Sequence, residues 1–141
     1  KLNKMTKEFI PYESALALKE LEFDKPCFAS IDNFSKTPYI PSKGGTYFNS
    51  KDYGKGTVAC PLYQQAFHFF REKYGLMHII NPYDFTAEIN YLNKRVVNDV
   101  YGDFIPHDHL VDDEGEEIKH LSYEDAENAC LLELINICKK K

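Results

Sequence analysis

Two short stretches carry the side chains best suited to chemistry. His107-Asp108-His109 sets two imidazoles two residues apart. On a strand both would share a face and would chelate zinc or another divalent ion. Carboxylates of the following Asp112-Asp113-Glu114 and Glu116-Glu117 would complete such a shell. The spacing matches no standard zinc motif, and the acidic run lacks the alternating ligands of an EF-hand loop. The run has a second use. Asp108, Asp112, Asp113, Glu114, Glu116 and Glu117 put six carboxylates in ten residues. Such a cluster would imitate a phosphate backbone and occupy a basic groove on a partner, where complementary charge speeds association and sets specificity. The plainer alternative is a solvated turn that keeps the chain soluble.

The second stretch is Lys36 to Thr57. It holds four of the seven glycines, two prolines, four lysines against one aspartate, and four aromatics. Lys36, Lys43, Lys51 and Lys55 interleave with Tyr39, Tyr47, Phe48 and Tyr53. Ammonium groups on phosphates and rings under bases would grip a single-stranded nucleic acid, each stacked base being worth about 1–3 kcal/mol. With four lysines the electrostatic part is modest and salt-dependent. Tyrosine-rich loops suit protein partners equally well, and aromatics folded back onto a core are the simplest alternative. Gly44-Gly45 signals a turn, so an irregular hairpin or a long mobile loop is expected over 36–57.

Support for catalysis is thin. Glu72, His68 and Glu127 fall on helical patterns without an evident partner, and His78 and His120 fall on strand patterns. Cys60 with His68 matches no nucleophile signature. Neither GxxxxGK[ST] nor GxGxxG occurs. Cys27, Cys60, Cys130 and Cys138 include no CxxC pair, and Cys130 and Cys138, about 12 Å apart along a helix, lie beyond disulfide reach. They read as reduced, buried thiols. A non-enzymatic chain without a cofactor is expected; a metal-dependent enzyme around His107 and His109 is the more distant alternative.

The elements that would position these residues follow from punctuation and period. Pro11 opens a helix running to Leu21, and Asp24-Lys25-Pro26 closes the unit. Cys27 to Ile31 reads as a strand. Pro61 opens a second helix through Tyr74, with Gly75 as its left-handed stop. Met77 to Ile80 is a strand candidate. Asp84 to Leu92 alternates, with Phe85, Ala87, Ile89 and Tyr91 inward and Thr86, Glu88 and Asn90 outward, the period of a half-buried antiparallel strand. Arg95 to Val97 would pair back, and Glu117 to Leu121 would add a strand. Ser122 with Asp125 caps a last helix whose stripe is Ala126, Cys130, Leu134, Ile137 and Cys138. The sum is one α+β domain, an antiparallel sheet of about four to five strands with about three helices packed on it.

Length and charge agree. The chain has 141 residues, 43% of them apolar, which excludes an acidic disordered tail. Its apolar runs are too short for a membrane span. Lys1 to Lys4 precede Met5, a candidate native start that would make residues 1–4 a remnant and 5–141 the domain; no apolar leader follows, and a cytoplasmic setting is expected. The net charge of −5 is uneven, with nine lysines against seven acids in residues 1–60 and eight basic residues against fifteen acids thereafter.

Three blocks resemble a known group. They are Phe9-Ile10-Pro11-Tyr12-Glu13 through Phe23-Asp24-Lys25-Pro26-Cys27-Phe28, Pro61-Leu62-Tyr63-Gln64-Gln65-Ala66-Phe67-His68-Phe69-Phe70 through Gly75-Leu76, and Tyr123-Glu124-Asp125-Ala126 through Leu131. They resemble a family of small uncharacterised proteins of Bacteroidetes phages and mobile elements. The blocks cover somewhat under half the chain and contain no catalytic motif. Glu22, His68 and Phe69 stand where the family has Gly, a basic residue and Trp. The resemblance implies a phage-type context and supports the helix placements but supplies no function; from that context an accessory protein in a bacterial cytoplasm is expected. Its expected action is binding of a host or phage protein, for instance as an anti-defence (anti-CRISPR) inhibitor of an RNA-guided nuclease. A nucleic-acid-binding module using the 36–57 stretch is the alternative. Residues 62–138 also resemble a double-stranded RNA-binding domain in element order. That module needs a basic start to its last helix, and Ser122-Tyr123-Glu124-Asp125 is acidic.

Overall fold

The computed structural model describes residues 7–41, 56–91 and 107–140, and for His107 and Asp108 the backbone alone. The Met5 start, six of the eight residues of the Lys/aromatic set (Lys43, Tyr47, Phe48, Lys51, Tyr53 and Lys55) and the pairing expected of Arg95 to Val97 lie outside the described residues. The chain is α+β and divides into two compact units, Lys1–Ala66 and Phe67–Lys141.

The first unit packs helix α1 (Tyr12–Glu20) on strands β1 (Ala29–Asp32) and β2 (Thr57–Cys60). Pro11 takes the N-cap position, extended at φ −64° and ψ 160°, and its carbonyl accepts the first helical bond from the Ala15 N–H at 2.9 Å. Tyr12, Ala15 and Leu18 are buried on the helix, and Ile31, Val58 and Cys60 on the sheet. The strands are antiparallel, with Ala29 opposite Cys60 and Asp32 opposite Thr57. Residues 36–41 follow β1 rather than leaving it, since the Ser30 and Tyr39 amides each donate to the other's carbonyl, at 3.1 and 2.7 Å.

The end of α1 is a Schellman motif. The Phe23 N–H donates to the Leu18 carbonyl at 2.9 Å and the Glu22 N–H to the Lys19 carbonyl at 3.0 Å, while Phe23 and Leu18 are both buried. This closure requires a left-handed residue at position 22. Glu22 supplies it at φ 68°, a conformation that is costly for a residue with a Cβ and free for glycine.

Helix α2 (Tyr63–Tyr74) begins in the first unit and ends in the second, where Gly75 at φ 65° stops it. The second unit continues with β3 (Leu76–Ile80), β4 (Ala87–Tyr91), β5 (His107–His109) and helix α3 (Tyr123–Lys139). The strands form one antiparallel sheet in the order β3-β4-β5. Helix α3 packs on β3 and β4. Leu76, Ala87 and Ile89 are buried on the sheet, and Ala126, Cys130, Leu131, Leu134, Ile135 and Cys138 on the helix. The expected cap is present, the Asp125 N–H donating to Ser122 Oγ at 3.1 Å. Among the described residues no helix is long and apolar enough to cross a membrane.

Three expectations are corrected. The five strands do not share one sheet: β1 finds its partner in β2 and β3 in β4, so each unit closes its own ladder. The alternating segment starts at Ala87, not Asp84, because residues 81–86 are taken up by the turn from β3. There the Phe85 N–H donates to the Asn81 carbonyl at 2.8 Å, Phe85 stands in the left-handed region at φ 56°, and Thr86 is buried with its hydroxyl donating to Asp84 Oδ1 at 2.8 Å. Glu117 to Leu121 is no strand; Glu117 alone bridges to Val111. Strand β2 carries no period in its four residues and was not expected.

His78 stacks on Phe67 with ring centroids 3.6 Å apart and planes 17° off parallel. Its Nδ1 is buried without a hydrogen-bond partner. Burial first, and then the Arg71 charge, push its pKa down to about 4, so the ring is neutral at pH 7.

Two stability predictions follow from these placements. Glu22→Gly relieves the left-handed cost of about 1–2 kcal/mol against about 0.5–1 kcal/mol of added unfolded-state freedom, so the urea midpoint rises slightly at unchanged m. A lower midpoint would show that the Schellman closure does not strain this residue. For His78, the unfolded ring binds its proton near pH 6.5 and the folded one near 4. The stability this provides is complete above the upper value and is lost as pH falls through that window, by about 1–2 kcal/mol after solvent screening of a half-buried ring. Urea melts of the native chain and His78→Phe at pH 7 and pH 4.5 check this, the variant losing less.

Candidate functional site

The acidic run folds into a tight hairpin. Leu110 and Ile118 are joined by the Ile118 N–H donating to the Leu110 carbonyl at 3.0 Å, and Val111 bridges Glu117. Asp112 organises the tip. Its Oδ1 accepts the Glu114 N–H at 2.9 Å and the Glu116 N–H at 3.0 Å, and its own N–H donates to the Glu116 carbonyl at 2.9 Å. Gly115 turns the chain at φ 86°. Asp112 is thus a turn-former, and Asp113, Glu114 and Glu116 are the carboxylates the tip offers to solvent. Asp108 lies on β5 opposite Ile89, one residue out of phase with the histidines.

Glu117, at the base of the hairpin, has a different setting. The β4–β5 register puts His109 opposite Glu88. The His109 ring lies between two carboxylates, with Nε2 at 3.4 Å from Glu88 Oε2 and Nδ1 at 3.6 Å from Glu117 Oε1. Beside them runs an open groove of about 410 Å3, lined by Ile79, Ile80, Asn81, Pro82, Thr86, Ala87, Glu88, His109 and Glu117. Its floor is the aliphatic end of the β3–β4 hairpin, and its charge is on one wall. By sequence alternation Glu88 is only an outward strand position. The missing information was the strand register, which sets it across from His109.

Of the metal candidates His107 and His109, only the His109 side chain is among the described residues. A single cation needs lone pairs converging on one point, whereas the two carboxylates approach opposite nitrogens of His109. Among the described residues no group of three His, Cys, Asp or Glu side chains is placed to hold one ion. Only the backbone of His107 is among the described residues, where it lies opposite Asn90.

The two described members of the Lys/aromatic set differ. Lys36 Nζ pairs with Glu13 Oε1 at 2.8 Å, and this contact raises the lysine's pKa and lowers the glutamate's. Tyr39 is 62% exposed. Both belong to the first unit, and the acidic hairpin belongs to the second.

Cys60 Sγ donates to the Ile10 carbonyl at 3.2 Å. His68 contacts Arg71 Nη2 at 3.4 Å and Glu72 Oε1 at 3.0 Å along the exposed side of α2. His120 keeps its Nε2 buried without a partner, and its N–H donates to the Phe85 carbonyl at 3.4 Å. Burial pushes the thiols of Cys27, Cys60 and Cys130 up to about 12, and all four cysteines are buried and outside any disulfide. The element order from α2 to α3 is α-β-β-β-α, and the first turn of α3 carries Glu124 and Asp125, the wrong sign for a duplex phosphate backbone.

Because the thiolate is the reacting species, the four thiols should resist an aromatic disulfide reagent in the native protein. They should react fully in urea. A thiol titrating within seconds under native conditions would contradict the burial described. No family model, curated protein or solved structure matches the chain.

Proposed function

We propose that the protein is a non-enzymatic binding protein whose acidic hairpin docks on a basic surface of a partner protein. The observation that carries this is the hairpin tip. Asp112 fixes the backbone, so Asp113, Glu114 and Glu116 stand exposed on a defined turn rather than on a loose chain. A preset turn loses less freedom on association, and clustered like charge steers a basic partner toward it. Protonated buried thiols and histidines engaged in structural contacts add support for binding over catalysis. In the phage-type setting that the resemblance implies, the basic nucleic-acid groove of a bacterial RNA-guided nuclease has the matching chemistry, and inhibition is the outcome of filling it.

Nucleic-acid binding through residues 36–57 is the second reading, favoured by the exposed ring of Tyr39. The Lys36–Glu13 pair weakens it, since that ammonium already has a counter-charge.

Panning a displayed peptide library against the immobilised protein separates the two. Lys- and Arg-rich peptides should be enriched, with retention falling as salt rises. The triple variant Asp113→Asn, Glu114→Gln, Glu116→Gln should lose about tenfold or more in affinity, the amount expected from removing several exposed charges of about 0.5 kcal/mol each. Enrichment of acidic or neutral peptides, or a triple variant that binds equally well, would sink the docking reading. Tight binding of single-stranded oligonucleotides, lost in Tyr39→Ala, would put the second reading in its place.

A further inference from the structure

We draw no further inference here: the strongest candidate, the groove of about 410 Å3 between the β3–β4 hairpin and the base of the acidic hairpin, has an apolar floor, and nothing in the structure shows what covers it.

Discussion

The second unit is organised by the two-residue period of β4. Ala87 and Ile89 must be buried, because each is worth removing from water and α3 offers the apolar stripe that receives them. A strand cannot turn one side chain inward without turning its neighbours outward. Burying Ile89 therefore sends Glu88 to the opposite face, and the antiparallel register then sets it across from His109. A one-residue slip would exchange the two faces and put a carboxylate under the helix. The polar wall of the groove is in this sense a by-product of core packing. Its position is held by burial that exceeds any ion pair in strength, since exposed pairs contribute about 0–1 kcal/mol.

Much of the fold was legible where a single residue type has a single backbone use. Pro11 and Ser122 mark helix starts and Gly75 a helix stop because each satisfies or removes specific backbone groups at those points. The stripe of α3 and the alternation from Ala87 onward were legible because period encodes burial. The division into two sheets was not. Pairing partners are chosen by three-dimensional proximity, and β2, with Val58, Ala59 and Cys60 all buried, carries no alternation to announce itself. The start of β4 was misplaced because Phe85 and Thr86 continue the apolar–polar pattern while belonging to a turn. Of the site, the acidic residues were plain from composition. Glu88 and the distinct settings of Asp112 and Glu117 depend on register and turn geometry, which composition does not encode.

The ten Phe and ten Tyr of the chain also divide by role. Phe67, Phe69 and Phe70 are buried on α2, with Phe69 and Phe70 edge-on at 5.3 Å and Lys73 about equally close to the rings of Phe69 and Tyr74, at 5.6 and 5.5 Å. The stack of Phe67 on His78 shows imidazole used as a flat, neutral ring rather than as an acid or base. Exposed rings such as Phe34 and Tyr83 lie in turns. Neither set is needed for the acidic face, so the two features that distinguish this composition act on different parts of the molecule.

The left-handed Phe85 has a meaning beyond its local cost. A turn that demands one left-handed residue accepts only certain alignments of the chain. Moving the segment by one position in one direction would force Thr86, which is β-branched, into that conformation, where such residues are rarely found. The direction that would bring in Asp84 removes its carboxylate from the Thr86 amide and hydroxyl it now caps. Phe85 thus works as a key in a lock of chain alignment: it makes the competing pairings of β3 with β4 harder to form, and protects the placement of every residue downstream in the hairpin.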